Sequence, residues 1–142
     1  MVKYTFIYPS KVEVSDRMLD DLDRVIAQQG IEPTIAEHLR LAVSEAFTNA
    51  VMHGNNQDPS RLVKVGVQVE ETVVTADITD QGSGGLARIR RRKPPEPLAE
   101  NGRGVDLIEH YADRALFRED DDGALVVSIS FERNKEEQGK IT

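Results

Sequence analysis

Between Leu39 and Gly54 the chain carries a helical repeat whose polar residues recur as regularly as its apolar ones. Leu39, Val43, Phe47, Ala50 and Val51 fall on one side of a 3.6-residue period and can pack on a sheet. Glu45, Asn49 and His53 drift slowly along the roughly opposite stripe. A carboxylate and an amide one turn apart can share one metal-bound ligand. The carboxylate can take a proton while the amide oxygen ligates a hard cation, which prefers oxygen donors. The same spacing also describes an ordinary solvated helix face, so this stripe alone does not separate the two readings.

Two later segments bear on that choice. In Val74, Ala76, Ile78 and Asp80 the strand alternation puts an acid on the same face as three apolar residues. A carboxylate there is costly unless it meets a donor. The Asp80-Gln81-Gly82-Ser83-Gly84 run would let backbone approach a flat ligand closely, and an exocyclic amino group such as that of adenine is a suitable donor. The plainer reading is that Asp80 opens a tight turn. Further on, Asn101-Gly102-Arg103-Gly104 precedes the apolar-periodic run Val105, Leu107, Ile108, Tyr111. Glycines at a helix entry expose its first N–H groups, which with the helix dipole form an anion site. A lone Gly-x-Gly is also just a flexible helix start.

In this order and spacing the three segments resemble the N box and the first and second glycine boxes of the GHKL (Bergerat-fold) ATP-binding superfamily. Val43-Ser44-Glu45-Ala46-Phe47-Thr48-Asn49-Ala50-Val51-Met52-His53-Gly54 and Gly102-Arg103-Gly104-Val105-Asp106-Leu107-Ile108 are most similar to the stand-alone anti-sigma-factor serine/threonine kinases within it. The resemblance implies an ATPase domain over residues 1–133, with 134–142 a charged flexible tail. It implies Asn49 as the Mg²⁺ ligand and Glu45 as the general base toward a Ser or Thr hydroxyl. It implies Asp80 as the reader of the adenine amino group, with Gly82 and Gly84 letting the base lie against backbone. Gly102, Arg103 and Gly104 would cradle the phosphates of ATP. His53 would contact phosphate or partner, or else simply cap the helix C-terminus. His38 and His110 read as surface positions.

The resemblance further implies a function: phosphorylating a STAS-type anti-anti-sigma protein and sequestering a sigma factor, as a homodimer. The alternative is a nucleotide-gated partner-binding module with little or no kinase activity. Two positions depart from the family pattern. Gly123-Ala124-Leu125-Val126 lacks the Thr hydroxyl that members often place beside adenine, and Glu100-Asn101 stands where some of these kinases carry an Arg.

Length and composition bound the rest. A chain of 142 residues suits one domain. It leaves no room for the dimerisation helices of a histidine kinase or the transducer domain of a gyrase-type ATPase. No apolar run of membrane-spanning length and no leader pattern is present, so a cytoplasmic protein is expected. Zero cysteines exclude disulfides and thiolate chemistry within the chain. A net charge of −7 argues against nucleic acid, whose binding rests on phosphate neutralisation.

The patterns predict a two-layer α/β (α+β) sandwich, with helices on one face of a mixed, mainly antiparallel sheet. Tyr4, Phe6 and Tyr8 mark a first strand and an apolar edge. Ser15 is expected to cap a helix that closes at Gly30, and Thr34-Ile35-Ala36-Glu37 reads as a capping box. Val63–Val69 and Val73–Asp80 form a hairpin, and Leu116–Arg118 with Leu125–Phe131 form another around Asp121-Asp122-Gly123. The stretch from Ser83 to about Glu100, with Pro94, Pro95 and Pro97, is expected to lack regular structure and to act as an ATP lid. Its Arg88, Arg90, Arg91, Arg92 and Lys93 are either solvated or set against a triphosphate or an acidic partner.

Overall fold

The computed structural model describes residues 1–91 and 104–133. In chain order they form β1 (Val2–Pro9), a 3₁₀ turn (Val12–Val14), α1 (Ser15–Gln29) and α2 (Pro33–Asn49), which continues into a π-helical turn (Ala50–Gly54). Then come β2 (Leu62–Val69), β3 (Val73–Thr79), α3 (Gly85–Arg90), α4 (Gly104–Tyr111), β4 (Arg114–Glu119) and β5 (Leu125–Glu132).

The strands make one five-stranded sheet in the order β1-β2-β3-β5-β4. Every pairing is antiparallel, so the parallel element implied by a mixed sheet is absent from the described residues. The cause is topological. β2–β3 and β4–β5 are hairpins, and β5 inserts between β3 and β4, so no strand needs a parallel neighbour. Register follows burial: Val65 faces Ile78, Val67 faces Ala76 and Val69 faces Val74, and these side chains share the covered face. A one-residue slip would turn all of them to solvent.

The expected stripe of α2 is the centre of the core. Leu39, Val43, Phe47 and Val51 are fully buried, and Tyr8 meets Phe47 edge-on with ring centroids 5.8 Å apart. α1 adds Met18, Leu22 and Val25, and α4 adds Val105 and Ile108. The aromatics of β1 are not an open apolar edge. They turn onto α1, where the Tyr8 hydroxyl donates to Asp21 at 2.6 Å and that of Tyr4 donates to Gln28 at 3.1 Å.

Three local expectations are corrected. Ser15 is the first helical residue rather than the cap, because the 3₁₀ turn delivers Val14 already in a helical conformation. The capping box does not form: α2 starts two residues earlier, at Pro33, whose fixed φ suits a first helical position, with Glu32 rather than Thr34 as N-cap. The stretch after Ser83 is not wholly irregular, since residues 85–90 make α3, seated by buried Ile89 and by Leu86 packing on the core. The prolines beyond it, Arg92, Lys93 and residues 134–142 lie outside the described residues.

At the far end of the sheet Arg133 ties three connections together. Its guanidinium donates to Glu32 at 2.9 Å and to the carbonyls of Glu70 at 2.8 Å and Gly30 at 3.4 Å. Among the described residues no helix is long and apolar enough to cross a membrane.

Candidate functional site

The final turn of the long helix widens into the π-helical segment immediately after Asn49. Its wide bonds run from the Asn55 N–H to the Ala50 carbonyl and from the Gln57 N–H to the Val51 carbonyl, each 2.8 Å. Such insertions re-aim the residues that follow. Here they lay Gly54 against the end of β3, at Asp80. Buried Asn55 locks the turn: its amide donates to Ser10 Oγ at 2.7 Å and to the Leu62 carbonyl at 3.0 Å. Its oxygen accepts from the Gln81 N–H at 2.7 Å, which fixes the chain just past Asp80.

Asp80 is 4 % exposed and sits where the strand alternation puts it, on the core face. Its Oδ1 accepts from the Gly82 N–H at 3.0 Å and the Leu125 N–H at 3.2 Å. It therefore both opens the turn and carries a buried carboxylate. Among the described residues no hydrogen bond reaches Oδ2. Burial pushes its carboxyl pKa up, while the two N–H groups and the charge of Arg88 pull it down less strongly. The fold thus holds the proton more tightly than the unfolded chain does. Ionised Asp80 costs stability above its raised pKa, and acidification through that pKa relieves the cost.

Two glycines make this approach possible. A methyl at Gly54 would lie 2.6 Å from Asp80 Cγ, and one at Gly82 would lie 2.8 Å from the Gly54 carbonyl carbon. The π turn, the carboxylate and the following loop thus stack with no room for a side chain. Gly84 differs from both, for it meets nothing but takes φ 72° as the N-cap of α3. Gly54 stands inside the helical motif without having been singled out there. The signal that could have found it is a glycine ending a helix just before a turn-rich stretch.

Glu45 and Asn49 are both half-buried on α2. The Glu45 Oε2 lies 3.4 Å from where a Cβ on Gly104 would stand, so the start of α4 is set directly against this carboxylate. The Asn49 side chain makes no capping hydrogen bond. Among the described residues no three His, Cys, Asp or Glu side chains converge as a metal cage. An amide oxygen beside a carboxylate still fits Mg²⁺, which keeps several waters and takes few protein ligands. Gly102 and Arg103 lie outside the described residues.

The His53 ring is exposed and its pKa is lowered, first by partial desolvation and then by Arg88. A helix-end cap would raise it instead, so the imidazole is neutral near pH 7 and the capping reading loses its charge. What His53 does contribute is its backbone carbonyl, which accepts from Arg88 Nη1 at 3.0 Å.

The family described as histidine kinase-like ATPase domain matches residues 8–131. An anti-sigma F factor from Geobacillus sp. (strain WCH70) is 34 % identical over 93 residues, which span 61 % of this chain and 63 % of that protein. A serine-protein kinase RsbW from Oceanobacillus iheyensis is 33 % identical over 124 residues, covering 80 % of this chain and 78 % of its own length. The chain thus spans 63 % of the length of the anti-sigma F factor it matches. A crystal structure of the RsbU and RsbW domains of a Mycobacterium tuberculosis protein superposes with a TM-score of 0.67 at 17 % identity. It covers 92 % of this chain and 32 % of its own, a likeness of fold.

Proposed function

The chain belongs to the histidine kinase-like ATPase domain family, and from that premise we propose that it is an ATP-dependent serine/threonine protein kinase and anti-sigma factor. It phosphorylates a STAS-type anti-anti-sigma protein and sequesters a sigma factor in the cytoplasm. The observation that carries the reading is the Glu45 carboxylate set against Gly104, one helical turn from Asn49. A module that only bound nucleotide would need Asn49 and Asp80 but no base, so this placement favours the kinase.

Asp80 Oδ2 accepts from the amino group of adenine, while Gly54 and Gly82 keep the approach free of side chains. Asn49 would hold Mg²⁺, which supplies charge neutralisation at the phosphates. Gly102, Arg103 and Gly104 cradle those phosphates at the entry of α4. Glu45 takes the proton from the substrate hydroxyl as its oxygen bonds to the γ-phosphorus. The bond from that phosphorus to the bridging oxygen breaks, and ADP leaves. His53, neutral and exposed, is left to face phosphate or partner. Incubation with labelled ATP, Mg²⁺ and a STAS-domain protein tests the reading directly: label on a Ser or Thr of that protein is expected. Tight ATP binding with no transfer would make it the nucleotide-gated module instead.

The pH dependence of binding follows from Asp80. Its ionised form is the stronger acceptor, and protonation turns one oxygen into a donor, so ATP affinity is expected to fall on acidification, starting above the ordinary carboxylate range. Stability runs the opposite way, because protonation relieves a buried charge. Calorimetric titration across pH checks this, with Asp80→Asn as control: its affinity should be weaker by about 1–3 kcal/mol and lack that pH step.

The homodimer would form at the edge of β1, which pairs with no second strand among the described residues and where Ile7 is 59 % exposed. Light scattering should return about twice the chain's 15.8 kDa. A monomer mass with and without ATP rejects the dimer.

A further inference from the structure

Next to Asp80 the fold leaves a second polar group unspent. Arg88, on α3, uses Nη1 on the His53 carbonyl. Its Nη2 is buried and has no hydrogen-bond partner among the described residues. Across from it, Asp80 spends Oδ1 on two backbone N–H groups and leaves Oδ2 without a hydrogen bond among the described residues. The two side chains flank the same turn, since Arg88 bonds the His53 carbonyl and the next residue, Gly54, packs on the Asp80 carboxylate. Yet among the described residues no hydrogen bond or ion pair joins them.

A buried donor without a partner is costly to keep. Arg88 Nη2 and Asp80 Oδ2 are together complementary to one kind of ligand edge: a donor and an acceptor side by side. Adenine carries that edge, with its 6-amino group next to ring N1. Guanine carries the reverse there, an oxygen at position 6 and a protonated N1.

We propose that Arg88 is a base-reading residue, its Nη2 donating to ring N1 of adenine while Asp80 accepts from the 6-amino group. This deepens the adenine reading at Asp80 and rests on it. Arg88 is held in place by its bond to the π turn and by buried Ile89 beside it, so the guanidinium reaches the site with little freedom left to lose. In this register guanine sets acceptor against acceptor at Asp80 and donor against donor at Arg88. Two mismatches, rather than one, then exclude it.

The test uses two ATP analogues against the wild-type chain, Arg88→Ala, Arg88→Lys and Asp80→Asn. In 1-deazaadenosine triphosphate a C–H replaces N1 and the amino group stays. Purine riboside triphosphate lacks the amino group and keeps N1. The wild type is expected to bind 1-deazaadenosine triphosphate about ten-fold or more weakly than ATP. Arg88→Ala should erase that difference, and Arg88→Lys should restore part of it. Equal wild-type affinity for ATP and the 1-deaza analogue overturns the proposal. So does an Arg88→Ala variant that weakens all three nucleotides by one common factor, the mark of a structural role. Failure of the adenine reading itself looks different: purine riboside triphosphate then binds the wild type as tightly as ATP, and the Arg88 assignment falls with it. The wild-type comparison decides the matter even if the variants do not fold.

Discussion

Glu45→Ala is expected to bind ATP as the wild type does and to transfer phosphate roughly 10²–10⁴-fold more slowly, the usual worth of a positioned general base. The carboxylate faces Gly104 and its neighbours Ala46 and Phe47 carry the packing, so the fold should survive its loss. Asn49→Ala should lose binding and transfer together, because without the metal the phosphates are not held for attack. Titration calorimetry and a single-turnover assay with a STAS-domain substrate separate the two variants. Wild-type transfer by Glu45→Ala would mean that the base lies elsewhere, and absence of transfer in the wild type as well would leave the binding-only reading standing.

The second large effect is expected at a residue with no functional side chain. In Gly54→Ala the new methyl would stand 2.6 Å from Asp80 Cγ, so the carboxylate must leave its two N–H partners or the π turn must unwind. Either movement removes the acceptor from the adenine position. Overpacking of this kind costs about 1–3 kcal/mol in stability, and ATP affinity is expected to fall about a hundred-fold or beyond measurement. Gly82→Ala should behave alike, because its methyl meets the Gly54 backbone, which has no rotamer by which to yield. Gly84→Ala is the contrast: nothing crowds that position, so only its left-handed φ resists the change. Circular dichroism and nucleotide titration of the three variants check the order. Normal ATP affinity in Gly54→Ala would mean that Asp80 is not where the base is read.

Much of the architecture was legible in the chain because it depends on one periodicity at a time. The apolar stripe of α2, the alternation of β2 and β3 and the placing of Asp80 on the core face all follow from side-chain spacing. Errors gathered at ends and connections. Pro33 and a 3₁₀ turn displaced two expected caps, and α3 formed where glycines and basic residues suggested loop. There the outcome depends on what the segment packs against: α3 lies beside β4, with Ile89 in the core and Leu86 packed against it.

The candidate site divides along the same line. The sequence by itself determined which groups are available: a carboxylate and an amide one helical turn apart, an acid on an apolar strand face, and glycines around both. Those are local facts, carried by spacing along one element. Only the tertiary structure decided that the helix ends in a π turn, that Gly54 is the residue pressed on Asp80, and that Arg88 reaches the His53 carbonyl. Each of these joins segments distant in sequence. The contacts exist because the sheet order brings β3 and β5 side by side and the core pins α2 across them, and no residue-to-residue periodicity encodes such a meeting.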